Sequence, residues 1–198
     1  MSESFKCLLA DPPWRHKDKL GKKGAAANYD GTLSIEEIKA FPLPPMARDS
    51  YLFLWRVSSM QQEALDVART WGYEVVGDIV WAKTTKPLQT TFLGPSRAQE
   101  EWRLFKFAFG LGRTTRSCKE IALICKRGKA RPLVKNERDL FLAPVGLEHS
   151  AKPEEFRDLI ERLVPGPYAE LFARYPRENW TQWGNQLEGR PASPAEGP

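Results

Sequence analysis

Short continuous apolar runs, separated by amphipathic or irregular stretches, organise the chain. Cys7-Leu8-Leu9-Ala10, Tyr51-Leu52-Phe53-Leu54-Trp55, Ile121-Ala122-Leu123-Ile124-Cys125 and Ala169-Glu170-Leu171-Phe172-Ala173 lack the strict alternation of a half-exposed strand. They read as strands buried on both faces. Helices are predicted between them. Ser34 and Glu37 form a capping box ahead of Ile38, and the stretch from Met60 to Trp71 contains neither Gly nor Pro. The best helix runs from Pro153 to Val164, with Phe156, Leu159, Ile160 and Leu163 on one face. Pro153 suits its first helical position, and Pro165-Gly166-Pro167 ends it. Alternating strands and helices predict a three-layer α/β domain with a mostly parallel sheet. Ligands of such sheets sit beyond the carboxyl ends of the strands, so the residues just after each apolar run carry the functional question.

Two stretches resist this pattern. Arg15 to Gly31 holds five Lys or Arg and three Gly and reads as a basic loop. Thr84 to Arg97, with Pro87, Gly94 and Pro95, is a second long connection. Loops of this length in a compact domain are usually functional or disordered. Residues 190–198 are rich in Pro, Ala, Ser and Gly and are expected to be a disordered tail. The expected organisation is a single domain over residues 1–189, since 198 residues fit one sizeable core.

Composition narrows the classes. With 41% hydrophobic and 28% charged residues, the chain matches neither a wholly disordered nor a membrane protein. No signal-peptide pattern opens it, so a cytoplasmic location is expected, or an organelle reached by another route. Cys7, Cys118 and Cys125 lack paired metal spacing, and His16 and His149 are the only histidines. Neither a disulfide framework nor a metal site is expected. The net charge of +5 is uneven: from Trp102 to Asn136 there are ten Lys or Arg and one acid, Glu120, with Phe105, Phe107 and Phe109 among the first of them. Cations for phosphates and rings for bases fit a nucleic-acid surface. A solubilising basic face fits the charge equally well.

The chemistry is concentrated in Ala10-Asp11-Pro12-Pro13-Trp14, directly after the first apolar run. Asp-Pro-Pro alone is a common way to leave a strand, but here it sits where a parallel sheet binds its ligand. An exocyclic amine such as that of adenine is a poor nucleophile because its lone pair is delocalised into the ring. A carboxylate oxygen of Asp11 and a carbonyl near Pro12 can accept the two amine hydrogens and localise that pair. Prolines hold the chain extended and offer carbonyls without competing N–H groups. Trp14, or Tyr29 across the loop, is expected to stack on a base taken out of its helix.

These residues belong to an ordered series. Ala10-Asp11-Pro12-Pro13-Trp14, Tyr29, Thr32-Leu33-Ser34, Leu52-Phe53-Leu54-Trp55, Trp71-Gly72-Tyr73-Glu74, Ile79-Val80-Trp81-Ala82-Lys83-Thr84 and Lys119-Glu120 make up its first part. Ser150-Ala151-Lys152-Pro153-Glu154, Ile160-Glu161-Arg162-Leu163, Glu170-Leu171-Phe172-Ala173-Arg174 and Trp183-Gly184-Asn185-Gln186 complete it. The series resembles the MT-A70 methyltransferases across nearly the whole chain. The resemblance implies a Rossmann-like class I methyltransferase fold of permuted motif order, the catalytic strand preceding the cofactor-binding strand, with S-adenosylmethionine as cofactor. It implies catalytic roles for Asp11, Pro12, Pro13 and Trp14. Asp11, Lys152, Glu170, Arg174, Asn185 and Gln186 correspond to cofactor-binding positions. Trp14, Tyr29, Glu120, Ser150 and Lys152 correspond to positions near the acceptor, where the basic Arg113 and Arg116 are added. Lys152 also stands out physically, because a lysine beside a helix N-terminus is unfavourable unless an anion is held there.

Two departures bear on the carry-over. The family commonly has an Asp-containing segment well before the catalytic strand that holds the cofactor adenine, whereas ten residues precede Asp11, so this part of the pocket is expected to be built otherwise. Leu111 to Ser117 is unlike the corresponding loop of the eukaryotic enzymes, so the target sequence does not transfer. The expected activity is methylation of adenine N6 in nucleic acid, DNA slightly favoured over RNA, with a homodimer or companion subunit as partner and no membrane association. The alternatives are a non-catalytic nucleic-acid-binding partner subunit, and an enzyme acting on a small molecule or a protein amide.

Overall fold

The computed structural model describes residues 4–15, 31–85, 107–110, 114–146, 151–187 and 193–194. Tyr29, Arg113 and Ser150, most of both long loops and most of the tail lie outside the described residues. The elements, in order, are β1 (Phe5–Ala10), α1 (Ile35–Lys39), β2 (Met46–Arg56), α2 (Gln61–Thr70), β3 (Glu74–Thr84), β4 (Lys119–Arg127), β5 (Leu140–Pro144), α3 (Glu154–Leu163), β6 (Tyr168–Leu171) and β7 (Trp180–Trp183). The seven strands form one sheet in the order β5-β3-β4-β2-β1-β6-β7. Every neighbouring pair is parallel except those made by β4 with β2 and β3. The carboxyl ends of six strands and the start of β4 therefore share one edge, the edge where such sheets bind ligands.

The apolar runs decode into two cores because successive side chains of a strand point to opposite faces. Leu8 and Ala10 of β1, with Leu52 and Leu54 of β2, pack beneath Ile38 of α1 and Ala64, Val67 and Ala68 of α2. Cys7, Leu9, Phe53 and Trp55 face the other way, onto Phe156, Leu159 and Ile160 of α3. This is the expected α/β sandwich. The capping box forms as predicted: the Glu37 amide donates to Ser34 Oγ (3.2 Å) and the Ser34 amide to Glu37 Oε2 (2.7 Å). One detail differs. Pro153 is the extended N-cap of α3 rather than its first helical residue, so its fixed backbone aims the preceding Lys152 across the sheet edge.

No helix among the described residues is long and apolar enough to cross a membrane. Cys7, Cys118 and Cys125 are free thiols, and burial pushes those of Cys7 and Cys125 up, the latter to about 12. Two features shape the chain after β6. Phe172 lies in the left-handed region at φ 62°, where a non-glycine residue is strained and often functional, and it turns the chain at the sheet edge. A Cβ at Gly184 would meet the Ala173 carbonyl oxygen at 2.1 Å. Glycine there lets the turn bearing Asn185 and Gln186 pass against Ala173, whose amide donates to the Trp183 carbonyl (2.9 Å).

Candidate active site

Asp11 leaves the tip of β1 and the next residues are stapled by the backbone. The Trp14 amide donates to the Pro12 carbonyl (2.8 Å), the Leu33 amide to the Pro13 carbonyl (2.8 Å), and the Arg15 amide to the Leu33 carbonyl (2.9 Å). The expectation that Trp14 stacks on a base is corrected. Its ring is 5% exposed within the α1–α2 core, and its indole N–H donates to the Trp55 carbonyl (3.0 Å). A large ring at the end of a buried strand gains more from the core than from the neighbouring loop, so Trp14 ties the motif to β2.

Lys152 crosses from the α3 N-cap to this tip. Its Nζ donates to Asp11 Oδ2 (2.7 Å), approaches Glu120 Oε2 (3.3 Å), and lies 5.4 Å from the centre of the Trp55 ring. Lys83, at the end of β3, forms a short ion pair with the other oxygen of Glu120. The result is a half-buried chain, Asp11–Lys152–Glu120–Lys83, in which charges alternate. Burial works against the ammonium of Lys152, but the two carboxylates outweigh it and hold its pKa above the ordinary value. For Glu120 burial pushes upward, while Lys152 and Lys83 prevail and hold it below the usual carboxylate range. The anion that makes a lysine acceptable beside a helix start is thus partly intramolecular.

A pH dependence follows. A carboxylate with a depressed folded pKa adds stability above its unfolded value, about 4.3 for Glu, and loses it as pH falls through the folded one. The advantage of the parent chain over Glu120→Gln is expected to be largest near neutrality and to shrink below pH about 4.3. Denaturation curves across that range measure it, and a constant offset would show that Glu120 is not coupled to the two lysines.

Beside the cluster lies a shallow cleft, partly open to solvent, between the β1 and β6 tips and the start of α3. Asp11, Trp55, Lys152, Glu170, Phe172 and Arg174 are among the residues lining it. Glu170, 6% exposed, is pinned by a bidentate Arg157 guanidinium (Nε–Oε2 3.1 Å, Nη2–Oε1 3.0 Å) and by Gln182 Nε2 (2.7 Å). Burial pushes the Glu170 carboxyl above its ordinary value, with Arg157 and Gln182 opposing. Gln182 also donates to the Tyr175 carbonyl and accepts from the Arg177 amide, so the network ties α3, β6 and β7 together behind the cleft.

Of the sequence-predicted residues, Asp11, Glu120 and Lys152 touch, and Glu170 and Arg174 line the same cleft. Asn185 and Gln186 are exposed on the turn after β7 and are not among the cleft-lining residues. Arg116 is exposed on the segment leading into β4. Lys83, Trp55, Arg157 and Gln182 were not singled out individually by the sequence reading. A signal existed for Arg157, which interrupts an apolar helix face, and for Glu170 inside an apolar strand. Two charges placed in buried runs call for each other.

The donor set fits S-adenosylmethionine. Carboxylates of Glu170 and Asp11 suit ribose hydroxyls and an ammonium, the cations of Lys152 and Arg174 suit a carboxylate, and Phe172 and Trp55 supply apolar wall. The buried indole N–H of Trp55 has no hydrogen-bond partner among the described residues.

A sheet of six parallel strands and one antiparallel strand, with an acid–lysine site at its carboxyl edge, defines a Rossmann-like methyltransferase fold. The MT-A70 family model matches residues 5–186, and the chain belongs to that family, whose methyl donor is S-adenosylmethionine. The chain is 30% identical over 189 residues to the N(6)-adenosine-methyltransferase MT-A70-like protein of Drosophila melanogaster and to the N(6)-adenosine-methyltransferase catalytic subunit METTL3 of Homo sapiens. It is 27% identical over 190 residues to the N(6)-adenine-specific methyltransferase METTL4 of Homo sapiens. In each comparison 93% of this chain is covered, against 27%, 28% and 38% of the respective relatives. The chain therefore spans well under half the length of these relatives.

Proposed function

We propose that the chain transfers a methyl group from S-adenosylmethionine to N6 of an adenine in nucleic acid, with DNA slightly favoured over RNA. The observation that carries this reading is the contact of Asp11 with Lys152 at the tip of β1, beside a cleft of cofactor chemistry. When bound, S-adenosylmethionine supplies an electrophilic methyl carbon on a sulfonium. Everything else falls to the chain. Lys152 occupies Asp11 Oδ2, and no described residue hydrogen-bonds Oδ1, which remains an acceptor for one amine hydrogen. The Pro12 carbonyl accepts the Trp14 amide and has a second lone pair for the other hydrogen. Two fixed acceptors favour a pyramidal nitrogen whose lone pair is aimed at the donor, an arrangement set before reaction.

In this reading Glu170 and Arg174 hold the cofactor ribose, and Asn185 and Gln186 hold ribose and adenine from the turn beside Ala173. Lys152 stands between cofactor carboxylate and acceptor. Glu120 stands beside the acceptor base and Arg116 beside its phosphates, while Tyr29, Ser150 and Arg113, the other expected acceptor residues, lie outside the described residues. A second copy or a companion subunit extends the basic surface. The relatives' names support N6 of adenosine or adenine as the target, and the experiment runs both carriers. The chain is incubated with deuteromethyl-labelled S-adenosylmethionine and adenine-containing DNA or RNA strands, which are digested and read by mass spectrometry. Labelled N6-methyladenine nucleoside is expected, more from DNA than from RNA. Cofactor binding with no labelled product from either carrier would favour a non-catalytic partner subunit.

A further inference from the structure

Phe109 is the most exposed large apolar side chain among the described residues, at 76%. An aromatic ring in water normally finds a core or a partner. This one is held out by a braced backbone. The Ala108 amide donates to the Lys83 carbonyl (2.8 Å), and Phe107 bridges to Thr84. Gly110 and Ser117 exchange both backbone hydrogen bonds (2.9 and 3.2 Å). A Cβ at Gly110 would meet the Ser117 carbonyl oxygen at 2.7 Å, so glycine is what lets these two segments close on each other. Phe109 lies between the two anchors. The Arg116 guanidinium sits 5.1 Å from its ring centre, a cation–π contact that covers part of the ring and leaves most of it open.

The brace leads directly to the site. Lys83 carries the Ala108 bond on its backbone and donates its amide to the Cys118 carbonyl (2.8 Å), while its ammonium holds Glu120 in the charge cluster. The cluster itself has two carboxylates and two ammonium groups and attracts phosphate through no net charge. Attraction for a polyanion must come from its surroundings, and the exposed Arg116 and Lys119 stand there.

We propose that Phe109, with Arg116 against it, is a stacking platform for the nucleotide next to the target adenine in a single strand. The inference rests on the nucleic-acid reading above and adds the surface that grips the strand. Stacking is tolerant of base identity, so the platform supplies affinity and register rather than sequence choice.

The test measures fluorescence anisotropy of labelled single-stranded DNA and RNA oligonucleotides with the full chain, alongside S-adenosylmethionine binding by calorimetry. Phe109→Ala is expected to weaken oligonucleotide binding by roughly 5- to 150-fold, the stacking range at tenfold per 1.4 kcal/mol. Phe109→Trp restores it, and cofactor affinity stays unchanged in both. Arg116→Gln weakens binding too and lowers the slope of log affinity against log salt by about 1. The arm with the larger Phe109 effect identifies the carrier, and equal effects mean a platform indifferent to the sugar. Parent binding that Phe109→Ala leaves intact overturns the platform alone. A parent chain that binds no oligonucleotide overturns the nucleic-acid reading, and the platform with it.

Discussion

Asp11→Asn is expected to lower single-turnover methyl transfer by about 10³-fold while the chain still folds, the scale of losing one charge-directed group at a reacting centre. The substitution keeps the shape of the side chain but replaces one carboxylate oxygen with an amide that donates. If Oδ1 becomes the amide nitrogen, it opposes the amine hydrogen it should accept. If Oδ2 does, it opposes the Lys152 ammonium, which now contacts Asp11 at 2.7 Å. Neither orientation serves both partners. Folding is spared because Lys152 retains Glu120 at 3.3 Å and the backbone staples through Pro12, Pro13 and Leu33 do not use the side chain. Radiolabelled transfer and thermal melting, run together, separate the two effects. A well-folded Asp11→Asn chain with undiminished turnover would remove the acid from the chemistry.

The parts of this molecule legible in its sequence are those where one physical signal dominates. The β1 and β2 runs, the Ser34–Glu37 capping box and the apolar face of α3 are all such cases, and all form. β3 was harder to read because Gly77 and Asp78 interrupt its apolar pattern beside a register shift against β4. β5 and β7 are five and four residues long, too short for periodicity to distinguish them from turns. At the site, Lys152 is readable because a lysine beside a helix start is otherwise unfavourable, and Asp11 because it follows a buried apolar run at the sheet edge where ligands bind. The burial of Trp14 was not readable, since whether a ring turns to core or loop depends on α1 and α2 packing over it. Nor was the identity of Glu170's partner. The partner is Arg157, thirteen residues back and across the layer on α3.

That pair carries the largest expected effect on stability. Arg157 and Glu170 are 7% and 6% exposed, and removing one partner of a buried ion pair typically costs about 3–5 kcal/mol because the other charge is left without compensation. For a domain of this size, about 2–4 °C per kcal/mol translates Arg157→Met into a melting point roughly 6–20 °C lower. Replacing both residues with apolar ones, as in Arg157→Met with Glu170→Leu, is expected to recover most of that loss, since both desolvation penalties vanish together. The single variant also carries a pH signature. Burial already pushes the Glu170 carboxyl upward with Arg157 opposing; without Arg157 it rises further, and the folded state then prefers the protonated acid. The deficit of Arg157→Met is therefore full above the raised folded pKa and fades as pH falls toward the unfolded value, about 4.3. A deficit of the same size at pH 8 and pH 5 would mean that lost packing of the Arg157 stem, and not an abandoned carboxylate, is what the substitution exposes.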